Sequence, residues 1–527
     1  MLFLKKLMML LLVTVFFTVG VTPVWAANKP AILFIPHDNR PVSFEQTVET
    51  LQRRGYELIV PPAQLLGSRD NLGNPDELWN WLYNNAKLAD AVVLSSDSLL
   101  YGSLVGSRKH NYSAADIEKR TENFAKLRKD HPRLKIYVFG SIMRSPRSGA
   151  ASGGEEPSYY AKYGADIFQL TALQDKEEVE GLTRSENLRL ERLKRSVPKK
   201  ALDDWLGRRD KNFKANLKLV DMVRKERFGY LALGRDDNAP FSQTHKESRL
   251  LEAQSGDLGV SKFQTVSGID EMGMVLLTRA VNDMEWSIPF VAVEYANGVG
   301  EKTIPSYSDE SIGTAIRSHL FAAGAIPVST AERADLVLLV NTNKDGVTLE
   351  ANDVANTTAQ RENTASFVKL IESNLKKGHQ ISVADIAFAN GADNALLNAM
   401  AKKDLLPKLM SYSGWNTANN SAGFAIGQGL LARKMSQDDK NHLLAVRYLD
   451  DWAYQANIRQ QVAADRFAMQ GGQYGNLGKA KRSVVKSTRN KMYEFSNHYL
   501  SDFSISSIAV DFPWNRMFEV DVDVVNK

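Results

Sequence analysis

The 527-residue chain is long enough for two or three domains, and with 43% apolar and 24% charged residues it has the composition of a globular protein, not a disordered one. Its net charge of +5 is too small to argue for nucleic acid or an anionic membrane surface as a partner. The absence of cysteine excludes disulfides, thiol chemistry and Cys-based zinc sites.

Lys5 and Lys6, the apolar run Leu7 to Val21 and the small residues around Val24-Trp25-Ala26 read as a signal peptide over residues 1–26. The protein is therefore expected to be exported, to the periplasm or exterior of a bacterial cell. The apolar run approaches bilayer-spanning length, so an uncleaved anchor is the alternative, and membrane contact is expected only through it.

From Ala31 onward, short apolar runs alternate with helical patterns, the signature of parallel strands joined by crossover helices. Ala31 to Pro36 ends in His37-Asp38-Asn39-Arg40, Ala91 to Ser96 runs into Asp97, and Ile136 to Met143 ends at Arg144. Residues 145–227 interrupt the rhythm with a Gly/Ser-rich loop and charged helices, which reads as an inserted helical hairpin or lid. Its loop, from Ser145 through Glu155 and Glu156, is the part expected to reach the site. Phe228 to Gly234 then empties into Arg235-Asp236-Asp237, Phe263 to Val266 ends in Gly268-Ile269-Asp270-Glu271, and Phe290 to Val293 ends in Glu294-Tyr295-Ala296-Asn297.

The fold expected is α/β. A parallel barrel-like or doubly wound domain spans 27–300, a second flavodoxin-like or Rossmann-like unit spans 301–437, and a helical tail over 438–527 closes in a strand or hairpin. In such folds strand C-termini converge on one face, so the polar run ends predict a shared site. The competing explanation for the acids is helix capping, since Asp and Asn cap helices whatever the function. Arg40 and Arg144 resist it, because arginine at a helix start opposes the macrodipole, and they read as clamps for an acid or polar substrate.

Together, His37-Asp38-Asn39-Arg40-Pro41-Val42, Ser96-Asp97 with Tyr101-Gly102, Arg235-Asp236-Asp237, Gly268-Ile269-Asp270-Glu271 and Gly414-Trp415-Asn416-Thr417 resemble the bacterial domain-of-unknown-function 4127 family across essentially the whole mature chain. Relatives more often carry an acid where His37 stands, and the resemblance implies no established reaction. The Asp-Asp pair is also similar to that of hexosaminidases with substrate-assisted catalysis, and Gly-x-Asp-Glu to the Asp-Glu pair of another such class. That analogy implies one carboxylate orienting an acetamide while its neighbour protonates the leaving oxygen.

The function expected is an exported hydrolase of glycan or cell-wall saccharide, with Asp236, Asp237, Asp270 and Glu271 as candidate acids and bases and no cofactor. Asp38, Arg40, Asp97, Arg144, Glu294, Asn297 and Asn416 would bind substrate. Tyr295 and Trp415 would stack on sugar faces, a core position being the alternative for Trp415. Two other readings stay open. In a metal-dependent deacetylase or phosphoesterase, Asp38, Asp97, Asp236 and Asp237 would hold a cation with His37 or His245. In a non-catalytic saccharide-binding protein, the acids would accept bonds from sugar hydroxyls.

Overall fold

The computed structural model describes residues 29–147 and 154–526. The expected signal segment lies outside the described residues, as does the middle of the Ser145 to Glu155 loop. Among the described residues no helix is long and apolar enough to cross a membrane.

The first apolar runs become β1 (Ala31–Ile35), β2 (Glu57–Ile59), β3 (Ala91–Ser95), β4 (Lys135–Ile142), β5 (Tyr230–Arg235) and β6 (Phe263–Ser267). They form one parallel sheet in the order β2-β1-β3-β4-β5-β6. Strands β1 and β3 are buried along their whole length because helices cover both faces. Leu33, Ile35, Val92 and Leu94 pack outward against the Pro75–Asn85, Ala114–Asp130 and Lys199–Arg224 helices. Ile32, Phe34 and Val93 pack inward. The sheet is open and doubly wound, and β2 and β6 are its edges.

A second parallel sheet joins β7 (Phe290–Tyr295), β8 (Ile326–Val328), β9 (Leu336–Asn341), β11 (Ile381–Asp385) and β13 (Ser411–Ser413) in the order β13-β11-β9-β7-β8. Short strands β10 (Leu349–Glu350) and β12 (Phe388–Ala389) pair beside it. Read from the β8 edge, this order repeats the flavodoxin-like winding of the first five strands of the first sheet. The last strand of the first sheet ends at Ser267 and the second sheet begins at Phe290, on either side of the Met272–Met284 helix. The Phe290 run is the strand from which the second sheet is wound, paired with both β8 and β9.

The inserted region differs from a simple lid. Tyr160–Val179 and Arg184–Ser196 form a small hairpin with its own core around Tyr160, Leu190 and Trp205. The longer Lys199–Arg224 helix is the β4 to β5 crossover. Its stripe of Asn212, Asn216, Leu219 and Val223 recurs every three or four residues and lies on the sheet.

Three helices, Met272–Met284, Ile312–Ala322 and Ala418–Ala432, fill the seam between the two sheets. Every residue of the last is buried, as a helix enclosed on all sides requires. Its glycines permit that enclosure. A Cβ at Gly423 would come within 2.5 Å of both Glu271 Cγ and His319 Cδ2, and Glu271 Oε1 and His319 Nε2 are themselves bonded at 2.6 Å.

The tail covers the outer face of the second sheet. Helix Gln437–Arg447 passes into a π-helical run, Tyr448–Ile458, then Arg459–Gln470 and Lys481–Tyr499. The chain closes in an antiparallel hairpin, β14 (Ile505–Asp511) and β15 (Asp521–Asn526). The connection between these strands reaches back to the first sheet, where Trp514 Nε1 donates to Asn39 Oδ1 at 2.7 Å.

Substituting Gly423→Ala tests the seam. Overpacking of this kind costs about 1–3 kcal/mol, so the thermal midpoint should fall while the secondary structure measured by circular dichroism stays unchanged. An unaltered midpoint would mean that the seam tolerates the added methyl.

Candidate functional site

The C-terminal ends of β1, β4, β5 and β6 open onto a cavity of about 440 Å³, within the range of small-molecule sites. The first sheet contributes Arg40, Arg144, Asp236, Asp237 and Asp270; the second contributes Asn390, Asn416, Asn419 and Asn420; the tail contributes Arg459, Tyr474, Arg516 and Phe518. All three parts of the fold meet here.

The cavity walls are a lattice of arginines and carboxylates. Asp38 accepts from the Arg40 backbone N–H at 3.0 Å and from its Nε at 2.9 Å, a tight turn that aims the guanidinium inward. Arg40 then donates to both oxygens of Asp270, at 2.5 and 3.3 Å. Asp270 also accepts from Asn416 Nδ2 at 2.6 Å and Asn420 Nδ2 at 3.3 Å, which ties the second sheet to the first. Burial would push the Asp270 carboxyl up, but the Arg40 charge and the bonds from His37 and Arg40 outweigh it and hold it well below the usual carboxylate range. Gly268 precedes it with φ +108°, and a Cβ there would strike Glu271 Oε1 and Asn420 Oδ1, so this close approach depends on glycine.

Arg144 donates to Glu156 at 2.7 Å and to Asp237 at 3.0 Å, and lies 3.2 Å from Glu155. Arg108 bridges Glu155 and Asp236, and Arg516 bridges Glu155 and Glu519. Glu155 thus meets three guanidiniums, which override its burial and hold it well below the ordinary value.

Asp237 differs from its neighbours. It has φ 36°, a left-handed conformation that strains a non-glycine residue, and its side chain is 30% exposed against 12% for Asp236. Burial, followed by repulsion from Asp236, pushes its carboxyl up to about 6 against the pull of Arg144 and Arg108. Two adjacent acids thereby hold different environments: one is tied to Arg108 and the other is poised to carry a proton.

Of the residues expected at the site, Asp236, Asp237, Asp270, Arg40, Arg144 and Asn416 line the cavity. Capping does not explain the Asp pair, because the following helix is capped by Ser242. Arg40 and Arg144 clamp acids of the protein itself. Asp38 and Asp97 lie beneath the surface, fully buried. Asp97 accepts from Ser141 at 2.9 Å, and burial pushes its carboxyl up to about 6. Glu271 turns into the seam toward His319 and away from the cavity. Trp415 is a core residue packed on Phe518, ring centroids 5.9 Å apart, and not a platform. Glu294, Tyr295 and Asn297 line a different hollow, beside the Thr364–Lys376 helix, because β7 belongs to the second sheet. His37 sits under Arg40, 3.0 Å from Ser43 Oγ, while His245 pairs with Asp309 at 2.5 Å. Among the described residues no three His, Asp or Glu side chains are grouped as a metal would require.

Sequence reasoning missed Arg108, Tyr307, Asn390, Arg459, Tyr474, Arg516 and Phe518. A usable signal existed for Arg516, an arginine within the aromatic turn Trp514 to Phe518 between two alternating strand patterns.

Fold and site together define an α/β protein of two parallel, doubly wound sheets with an arginine and carboxylate cavity at their C-terminal edges. The chain belongs to a family of proteins of unknown function, DUF4127, whose family model matches residues 32–523. No curated protein sequence matches it. Among solved structures, a C2-type ketoreductase from a modular polyketide synthase aligns with 67% of this chain and 90% of its own at 11% identity and a TM-score of 0.13, a score too low to bear on fold or activity.

Two outcomes check this electrostatic description. Arg40→Ala leaves Asp38 and Asp270 buried without their counter-charge, and removing one partner from such a pair costs about 3–5 kcal/mol; urea unfolding should show the loss. Asp237 titrates above the ~3.9 of an unfolded aspartate, so its stabilising contribution is present below about pH 4 and is lost as pH rises through about 6. The stability difference between wild type and Asp237→Asn should therefore shift against wild type across that window. A pH-independent difference would remove the raised carboxyl from the description.

Proposed function

We propose that the protein is an exported hydrolase that acts on glycan or cell-wall saccharide by carboxylate acid/base chemistry. The observation that carries this reading is the Asp236-Asp237 pair, in which Asp237 is partly exposed to the cavity with its carboxyl raised to about 6 while Asp236 is ion-paired with Arg108. Adjacent acids of unlike character suit substrate-assisted cleavage of a 2-acetamido sugar. Asp236 orients the acetamide, whose carbonyl oxygen attacks the anomeric carbon as the glycosidic C–O bond breaks. Asp237 gives its proton to the leaving oxygen. Water then opens the resulting ring at the anomeric carbon and returns a proton to Asp237.

The remaining lining suits a saccharide. Asn390 and Asn419 present amides for hydroxyls, and the rings of Tyr307, Tyr474 and Phe518 offer apolar faces. Glu350 fixes two of these, accepting from Tyr307 Oη at 2.9 Å and from Asn390 Nδ2 at 2.8 Å. Export rests on the N-terminal sequence pattern. A second reading, a saccharide-binding protein without turnover, draws on the same cavity, because strand ends and loops of two sheets contribute to it and every lining carboxylate is already ion-paired.

The test is release of chromophore or reducing ends from 2-acetamido glycosides and peptidoglycan fragments by the purified mature protein, with and without chelator, beside Asp237→Asn. Expected is chelator-resistant turnover that falls above about pH 6 as the acid ionises, and a loss of about 10²–10⁴-fold in the variant, the usual contribution of general acid catalysis. Turnover abolished by chelator would favour a metal-dependent hydrolase. Saccharide binding with no release would favour the binding protein.

A further inference from the structure

The wall of the cavity built by the tail differs in charge from the rest. Arg40, Arg108, Arg144, Arg235 and Arg516 each have a carboxylate at ion-pair distance. Arg459 has none among the described residues. It is 7% exposed, its Nη1 donates to Gln455 Oε1 at 2.6 Å, and its Nε has no hydrogen-bond partner among the described residues. Its guanidinium lies 5.6 Å from the centroid of the Phe518 ring.

The arrangement is held in place. Gln455 Nε2 donates to Asp450 Oδ1 at 3.2 Å and to the Phe518 carbonyl at 2.9 Å, so the amide that receives Arg459 also fixes the ring beneath it. Gln455 lies in the π-helical run and Arg459 follows at its end. π-helical turns are rare and concentrate at functional sites. A buried guanidinium with unfilled donors is costly unless a partner arrives, and Arg459 lines the cavity, where a ligand can supply one.

Resting on the saccharide reading of the cavity, we propose that Arg459 recognises a single carboxylate on the substrate, making the ligand an acidic saccharide of the uronate type. The charge balance selects a monoanion. The other guanidiniums are already matched by Asp270, Glu155, Glu156, Asp236, Asp237, Glu310 and Glu519, so the second charge of a phosphate ester would face carboxylates with no free cation left to meet it. The planar fork of arginine also suits a carboxylate directly.

Calorimetric titration of the mature protein with D-glucuronate, D-glucose and glucose 6-phosphate tests this, run beside Arg459→Gln and Arg459→Lys. Wild type should bind glucuronate at least about tenfold more tightly than glucose, the usual worth of one charge-assisted contact. Arg459→Gln should erase that preference and Arg459→Lys retain part of it, with near-ultraviolet circular dichroism of both variants matching wild type. If the glutamine variant does not fold, the wild-type preference and the lysine variant still decide. Equal affinities in wild type, a preference that survives Arg459→Gln, tighter binding of the phosphate, or binding of none of the three would each overturn the proposal. Because the readout is binding, its failure leaves hydrolysis of a neutral saccharide standing, and absent turnover leaves the carboxylate preference standing.

Discussion

Arg40 and Asp270 stand 230 residues apart in the chain and meet through two hydrogen bonds in a site almost closed to water. Each charge would cost several kcal/mol to bury alone. Their mutual attraction offsets that cost only if the remaining donors and acceptors are filled, and here they are. Asp38 takes two N–H groups of Arg40, and Asn416 and Asn420 take up the free lone pairs of Asp270. Ion pairs extend the lattice outward through Arg144, Arg108, Glu155 and Arg516. Most members of the lattice pair with more than one partner, so each charge is held from several sides.

That lattice depends on the seam. Asn416 and Asn420 reach Asp270 only because the Ala418–Ala432 helix, buried on every side, sits between the sheets at the height its glycines allow. The tail adds a second dependence. The β14 to β15 connection returns across the second sheet to bring Arg516 onto Glu155 and Trp514 onto Asn39. Loss of the Arg516 contact would leave Glu155 with one counter-charge fewer in a site that holds it ionised. Fold and electrostatics are therefore coupled, and local loosening of the tail would be felt at Asp237 through the charges that neighbour it.

Much of this was legible locally. An apolar run that stops abruptly at acids or arginine marked the ends of β1, β3, β4, β5 and β6, because a buried parallel strand has no polar face to blur the signal. Arg40 and Arg144 stood out because a helix start is the wrong place for a cation. What sequence could not carry was membership and direction. Glu294 ends a run like the others, yet β7 pairs in the second sheet, and strand pairing is a long-range property. Glu271 and Asp270 are adjacent, yet the turn after Gly268 sends one into the seam and the other into the cavity. Arg108 lies in a short helix with no apolar period to flag it, and Arg459 acquires its position from a π-helical run that no pattern of side chains announces.

The contrast between the two walls is the last consequence of the lattice. On the first-sheet wall every guanidinium is ion-paired within the protein, and Asp237, whose carboxyl is raised by burial and then by repulsion from Asp236, is bonded directly by Arg144. On the tail wall, one guanidinium is left over. A ligand that presents hydroxyls to the first wall and a single negative charge to the second would complete the hydrogen bonding of both, and one with two charges would meet acids that have no further cation to share. The proposed selectivity thus follows from which charges the fold has already matched, and not from the number of arginines that line the cavity.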